Sequence, residues 1–225
     1  MSLSVAIAGL LGGILVWFLL ARRLTAKPWL TIDAQGAVGE GGPTLLPAAT
    51  IGLLAFLAVV TSLFGLFITA FHMRIMNNLA ECGGFKVPSL VWANTALLVL
   101  ASGAMEWARL VANRGDAFAV LKPRLLAGGL LTLAFLLAQL LAWRQVYMAR
   151  AFSPANPAIA FFFLLTFVHG LHLVGGLAVW VRTLRRVSAV SARTSDVRLT
   201  LNLCATYWHY LLLVWLVLFG FMLSI

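Results

Sequence analysis

The stretch FVHGLHLVGG, residues 167–176, sets His169 and His172 three positions apart in a run otherwise fit only for lipid. The surrounding segment 158–181 is apolar almost throughout. It exceeds the roughly 20 residues that a helix needs to cross a hydrocarbon core. Read as a transmembrane helix, it puts both imidazoles on one face, because residues three apart are neighbours on a helix. A polar group buried at that depth costs free energy unless it has a partner or a task. The rest of the chain has to supply one.

The whole composition is that of an integral membrane protein. Of 225 residues, 63% are hydrophobic and 10% charged, with a mean hydropathy of +1.02. Soluble domains carry about 25% charged residues. The net charge of +10 is not gathered into a polar Lys/Arg block, so it marks membrane topology and not a nucleic-acid partner. Cys82 and Cys204 have neither C-x-x-C nor metal-site spacing, which leaves two inert thiols. A Gly-rich phosphate loop, paired carboxylates and a G-x-S-x-G elbow are all absent from the sequence.

Six segments are long and apolar enough to span, at 3–21, 50–71, 90–111, 125–146, 158–181 and 199–223. All seven prolines fall between these spans. The first segment has no N-terminal charge and meets Arg22 and Arg23 only after its apolar run, as expected of a retained anchor whose N-terminus is outside. Loops one, three and five, with their flanking helix ends, carry Arg22, Arg23, Lys27, Arg109, Arg114, Lys122, Arg124, Arg182, Arg185, Arg186, Arg193 and Arg198; the opposite side carries Arg74, Lys86, Arg144 and Arg150. Since basic loops stay in the cytoplasm, this asymmetry predicts that both termini are extracytoplasmic. The expected organisation is an all-α membrane protein of six helices: an N-terminal helix at 1–21, a Gly-rich cytoplasmic linker at 22–48, and a five-helix bundle at 49–225.

Ionisable residues inside the spans are few: Glu106 in span three, His169 and His172 in span five, and His209 in span six. His72 ends span two on the outer side, where the simplest reading is a solvated residue. With each helical residue rising 1.5 Å, His209 comes to a depth comparable with His172, and the two could meet. Glu106 is shallower and can reach Arg109 one turn on. Two readings stand for this group. In one, neutral imidazoles hydrogen-bond to carbonyls, Tyr207 or Trp208 and hold helices together, with Gly170, Gly175 and Gly176 allowing close approach. In the other, His172 and His209 face each other across a haem iron or copper, making the chain a membrane haem-binding electron-transfer protein. A small transporter is a third possibility; against it stand the lack of a repeat and of a broken span near the midplane. Trp17, Trp29, Trp92, Trp107 and Trp143 sit nearer span ends, as interface anchors do.

Two segments resemble a known family. The run from Phe163 to Gly176 is similar to the Thr-Gly-Phe-His-Gly-Leu-His-Val-x-x-Gly signature of subunit III of haem–copper oxygen reductases, the cytochrome c oxidase subunit III family. Tyr207-Trp208-His209-Tyr210 through Trp215 resembles its Tyr-Trp-His-Phe-Val-Asp-x-Val-Trp segment, and Asn94-Thr95, Ala101-Ser102 and Trp107-Ala108 resemble elements of an earlier helix. The likeness covers roughly residues 49–225. The chain departs from the family's acidic set: Val59-Val60-Thr61-Ser62 holds no carboxylate, Leu212 replaces an Asp, and Gln145 stands near an expected Glu.

The resemblance implies an accessory, non-redox subunit of a respiratory haem–copper terminal oxidase, or of a nitric oxide reductase-type complex, in the bacterial inner membrane. It implies no catalytic centre, haem or metal in this chain; haem and copper would sit in partner subunits, catalytic subunit I foremost. Phospholipid is the expected ligand, with Arg109, Arg182, Arg185 and Arg186 as headgroup candidates. Glu106, His169, His172, Tyr207, Trp208 and His209 would form a structural polar cluster.

Overall fold

A computed structural model of the chain describes residues 47–77, 88–114, 118–148, 157–188 and 194–223. Span one and nearly all of the 22–48 linker lie outside the described residues. Each described segment is essentially one helix: α1 (Ala48–Asn77), α2 (Leu90–Arg114), α3 (Phe118–Met148), α4 (Pro157–Ser188) and α5 (Thr194–Leu223). All five are long and apolar enough to cross a membrane. They are spans two to six of the sequence, extended at nearly every end.

The extension has a physical cause. An apolar run reports the thickness of hydrocarbon, whereas backbone hydrogen bonding continues into the headgroup region wherever the residues allow it. α3 begins seven residues before the apolar stretch at 125 and takes Pro123 inside the helix, so one proline does lie within a span. It is tolerated because it falls in the second turn, near the end whose amides lack intrahelical acceptors. Pro157 opens α4, a position that needs no amide donor. Pro88 accepts from Val91 N at 3.0 Å in the turn that leads into α2. Arg114 closes α2 and Arg185 and Arg186 close α4, cations at the negative ends of their helix dipoles.

Cross-helix contacts fix direction and register. Trp92 meets Phe219, Trp215 bonds Thr95, and Ser102 bonds His209, so α2 and α5 run antiparallel. Trp180 bonds Leu125 and Trp143 bonds Thr166, making α3 and α4 antiparallel as well. Thr61 meets Tyr210 and Phe71 meets Phe221, so α1 runs parallel to α5. The five helices therefore alternate in direction. α2, α3, α4 and α5 close a four-helix ring by contacts α2 to α3, α3 to α4, α4 to α5 and α5 to α2.

α1 leans on the groove between α4 and α5 through large side chains: Phe56 and Phe64 reach His172, and Phe71 stacks on Phe161 at 4.7 Å. Only 11% of its most apolar window is buried, against 39% in each ring helix. Lipid tails are as apolar as leucine, so burial alone does not drive these helices together; close packing and interhelical hydrogen bonds have to. The ring interior is packed by Met105, Leu125, Trp180 and Trp208 towards the arginine-rich end, and by Leu98, Phe135, Leu211 and Trp215 further along.

Candidate functional site: the polar contacts of the bundle

The polar cluster expected from the sequence divides in two. Glu106 and His209 come together between α2 and α5. His209 Nε2 lies 3.0 Å from Glu106 Oε2, and the same oxygen accepts from Arg109 Nη1 at 3.2 Å. With the carboxylate ionised it can only accept, so Nε2–H donates; in the neutral ring Nδ1 then accepts from the Ser102 hydroxyl. Both ring nitrogens are engaged. Toward the arginine-rich end the seam continues with Asn113 Nδ2 donating to Asn202 Oδ1 at 3.2 Å and Arg198 Nε donating to the Ala112 carbonyl at 3.0 Å.

His169 and His172 lie elsewhere, on the side of α4 that faces α1 and the ring interior. His172 Nδ1 is 2.7 Å from its own helix's Val168 carbonyl, and its ring packs on Phe56 and Phe64. The His172 carbonyl, not its side chain, makes the cross-helix bond, accepting from Tyr207 Oη at 2.9 Å. His169 is fully buried among Phe64, Phe135 and Trp215, and neither ring nitrogen has a hydrogen-bond partner among the described residues. The facing pair His172 and His209 is not formed: His209 is committed to α2, His172 to α1. Among the described residues no three His, Cys, Asp or Glu side chains are grouped to hold a metal ion.

Hydroxyls and indoles do much of the tying. Trp208 Nε1 donates to Thr132 Oγ1 at 2.9 Å across the ring, and the Thr132 hydroxyl in turn donates to the Gly128 carbonyl at 2.8 Å. Trp215 donates to Thr95, Trp143 to Thr166, and Trp180 to the Leu125 carbonyl. Asn94 donates to Gln139 in a fully buried amide pair. The histidines stand out in the sequence, whereas Thr132 and Gln139 are unremarkable there and Ser102 stands out only within the family-like Ala101-Ser102 element, with no bonding partner indicated. Their one signal of a partner is position: a polar residue inside an apolar run wants one.

Of the three glycines expected to allow close approach, Gly176 alone does so, and Gly129, which was not among them, does so more tightly. A Cβ on Gly176 would sit 2.8 Å from the Tyr207 ring, and one on Gly129 only 2.2 Å from the Trp180 ring. Gly175 faces open space, and Gly170 would meet Leu136 at an ordinary 3.7 Å. His72, expected to be solvated, is half-buried with Nε2 closed off. Of the arginine candidates, Arg109 is held by Glu106, while Arg182, Arg185 and Arg186 project from the exposed end of α4. Arg124 was not foreseen: its guanidinium lies 4.5 Å over the Trp107 ring and donates to the Val120 carbonyl.

Close to that end, α1, α4 and α5 enclose a half-open apolar cleft of about 360 Å³ lined by Leu53, Phe56, Gly176, Val179, Leu203 and Tyr207.

Alternating apolar helices tied by hydroxyl, indole and imidazole contacts define a multi-pass α-helical membrane protein. The family model for cytochrome c oxidase subunit III matches residues 35–224, and the chain belongs to that family. It is 27% identical over 179 residues to the probable cytochrome c oxidase subunit 3 of Mycobacterium tuberculosis, covering 76% of this chain and 84% of that one. It is 28% identical to cytochrome c oxidase subunit 3 of the dogfish Squalus acanthias over an alignment of 249 residues, covering 96% and 90%. With the salmon Salmo salar subunit the identity is 26% over 208 residues, covering 85% and 75%.

Proposed function

We propose that the chain is the accessory, non-redox subunit of a bacterial respiratory haem–copper terminal oxidase. In this reading it sits in the plasma membrane beside catalytic subunit I, stiffens the complex and binds phospholipid. Electron transfer to oxygen and proton translocation belong to partner subunits, which carry the haem and copper. The family membership carries the proposal. The geometry supports the structural part of it, because His209 spends both ring nitrogens on α2 contacts.

For phospholipid, the supporting observation is the apolar cleft near the arginine-rich end. Val179 lines it, and Arg182 lies one helical turn further along α4. An acyl chain fits an apolar cleft, and a phosphate fits the exposed Arg182, Arg185 and Arg186. The basic end would then face the cytoplasm.

The test is purification in mild detergent through a tag on this chain, with an optical spectrum and identification of the co-purifying subunits. A haem–copper catalytic subunit and its spectrum should accompany it, with oxygen consumption by the complex. Turnover with nitric oxide alone would assign a reductase-type complex instead, and a colourless single polypeptide would overturn the reading.

A further inference from the structure

The outer faces of the ring are unlike one another. α3 turns Leu130, Leu133, Leu137 and Leu140 outward, and α4 turns Leu164, Phe167, Leu171 and Val174 outward, all hydrocarbon. The groove between α4 and α5 is covered by α1. The groove between α5 and α2 is different. On α2, Ser102, Glu106, Arg109 and Asn113 are spaced by four, three and four residues. On α5, Arg198, Asn202, Thr206 and His209 are spaced by four, four and three. Each set occupies one stripe of its helix, and the two stripes meet in antiparallel register.

This seam is open to the outside. The side chains of Glu106, Arg109 and His209 are 31%, 37% and 42% exposed. Glu106 Oε2 takes both the histidine and the arginine contact, while Oε1 accepts from no described residue. Arg109 Nε is enclosed and has no described partner. Glu106 stands eight residues inward from Arg114, about 12 Å along the helix axis at 1.5 Å per residue. Along the two helices, Trp107 and Leu110 on α2 and Leu213 and Leu216 on α5 are all exposed and apolar. Hydrocarbon against a half-open carboxylate, imidazole and guanidinium is costly. An anionic headgroup is repelled by Glu106 itself.

We infer that the seam between α2 and α5 is the face on which a second membrane protein docks, through a transmembrane helix with apolar flanks and a hydrogen-bond donor aimed at Glu106 Oε1. Resting on the proposed function, that partner is the catalytic subunit of the oxidase. The chain would thus present one polar edge to its partner and hydrocarbon on the outer faces of α3 and α4. Gly103 beside Ser102 leaves open space on the same outer side of α2, which lets a partner backbone come close.

The test uses the full chain in its native membrane with a photo-crosslinking amino acid in place of Leu110 or Leu213 on the seam, and of Leu137 or Leu171 on the hydrocarbon faces. After illumination and purification through a tag on this chain, adducts are identified by mass spectrometry alongside the haem spectrum. Crosslinking of the catalytic subunit is expected from positions 110 and 213, and lipid adducts alone from 137 and 171. A second variant, Glu106→Gln, keeps the shape of the side chain and removes its charge; it should lower the haem recovered per tagged chain while the tagged chain itself accumulates normally. Haem in the preparation with the subunit crosslinked only from 137 or 171 would overturn the docking face and leave the proposed function standing. Seam adducts confined to lipid, or to another segment of this chain, would overturn it likewise. A preparation without haem would overturn both.

Discussion

His209 and Glu106, 103 residues apart in sequence, meet at 3.0 Å and join the last helix of the bundle to α2. The imidazole is bound from both sides, by the carboxylate and by Ser102, so its removal frees two groups at once. Interhelical hydrogen bonds in membranes average about 0.6 kcal/mol and reach about 1.7 kcal/mol. His209→Leu should therefore lower the free energy of unfolding in detergent by about 1–3 kcal/mol, two such bonds together. His209→Gln, which keeps one bonding arm, should lose about half as much. A His209→Leu protein that melts like the wild type would show that the contact does not hold the helices.

Gly129 and Trp180 give a sharper steric test. A methyl group at position 129 would lie 2.2 Å from two atoms of the indole, and that ring is fixed by its own bond to the Leu125 carbonyl at 2.7 Å. The ring cannot swing aside without losing the bond. Overpacking of this kind costs typically about 1–3 kcal/mol. Gly129→Ala should lower the folded fraction that survives heating and size-exclusion chromatography, and Trp180→Leu in the same chain should restore part of it. Gly175→Ala, where nothing lies within 4 Å, should run with the wild type.

Trp208 and Thr132 test the bundle centre. Both are fully buried, and the indole donates to a hydroxyl that itself donates to the Gly128 carbonyl. Thr132→Val keeps the shape but leaves the indole N–H without an acceptor, a loss of about 1–3 kcal/mol. Thr132→Ser should be close to neutral. In a Trp208→Phe background the Thr132→Val loss should shrink, since no orphan donor remains. A double-mutant cycle read by chemical denaturation in detergent measures the difference, and equal losses in both backgrounds would deny the bond.

How much of this was legible follows from what periodicity encodes. Five apolar runs and their order gave the described helices and their alternation, because hydrocarbon thickness demands about 20 residues per crossing. The i, i+3 spacing of Glu106 and Arg109 sufficed for the ion pair found between them. Spacing within a helix says which residues share a stripe, but not which stripes of different helices meet. Depth alone therefore matched His209 with His172, whereas the ring order of the helices turns His209 toward Ser102 and Glu106. Gly129 was likewise invisible as a contact, since nothing in its own run points to Trp180 some fifty residues on. Pro123 precedes the apolar run and so reads as a loop residue, although the helix already begins at Phe118.

The same geometry separates His169 from the other histidines. Its ring is completely buried among Phe64, Phe135 and Trp215, and both nitrogens lack a described hydrogen-bond partner. A buried polar group without a bond is a cost, typically about 1–3 kcal/mol on the scale of protein mutations. Replacing it by a hydrocarbon of similar size removes that cost and leaves the aromatic packing in place. His169→Leu should therefore unfold at the same denaturant concentration as the wild type or higher, while His209→Leu unfolds earlier. If His169→Leu instead loses more than about 1 kcal/mol, the size of a typical net hydrogen bond, the imidazole has a partner that the helix contacts do not include.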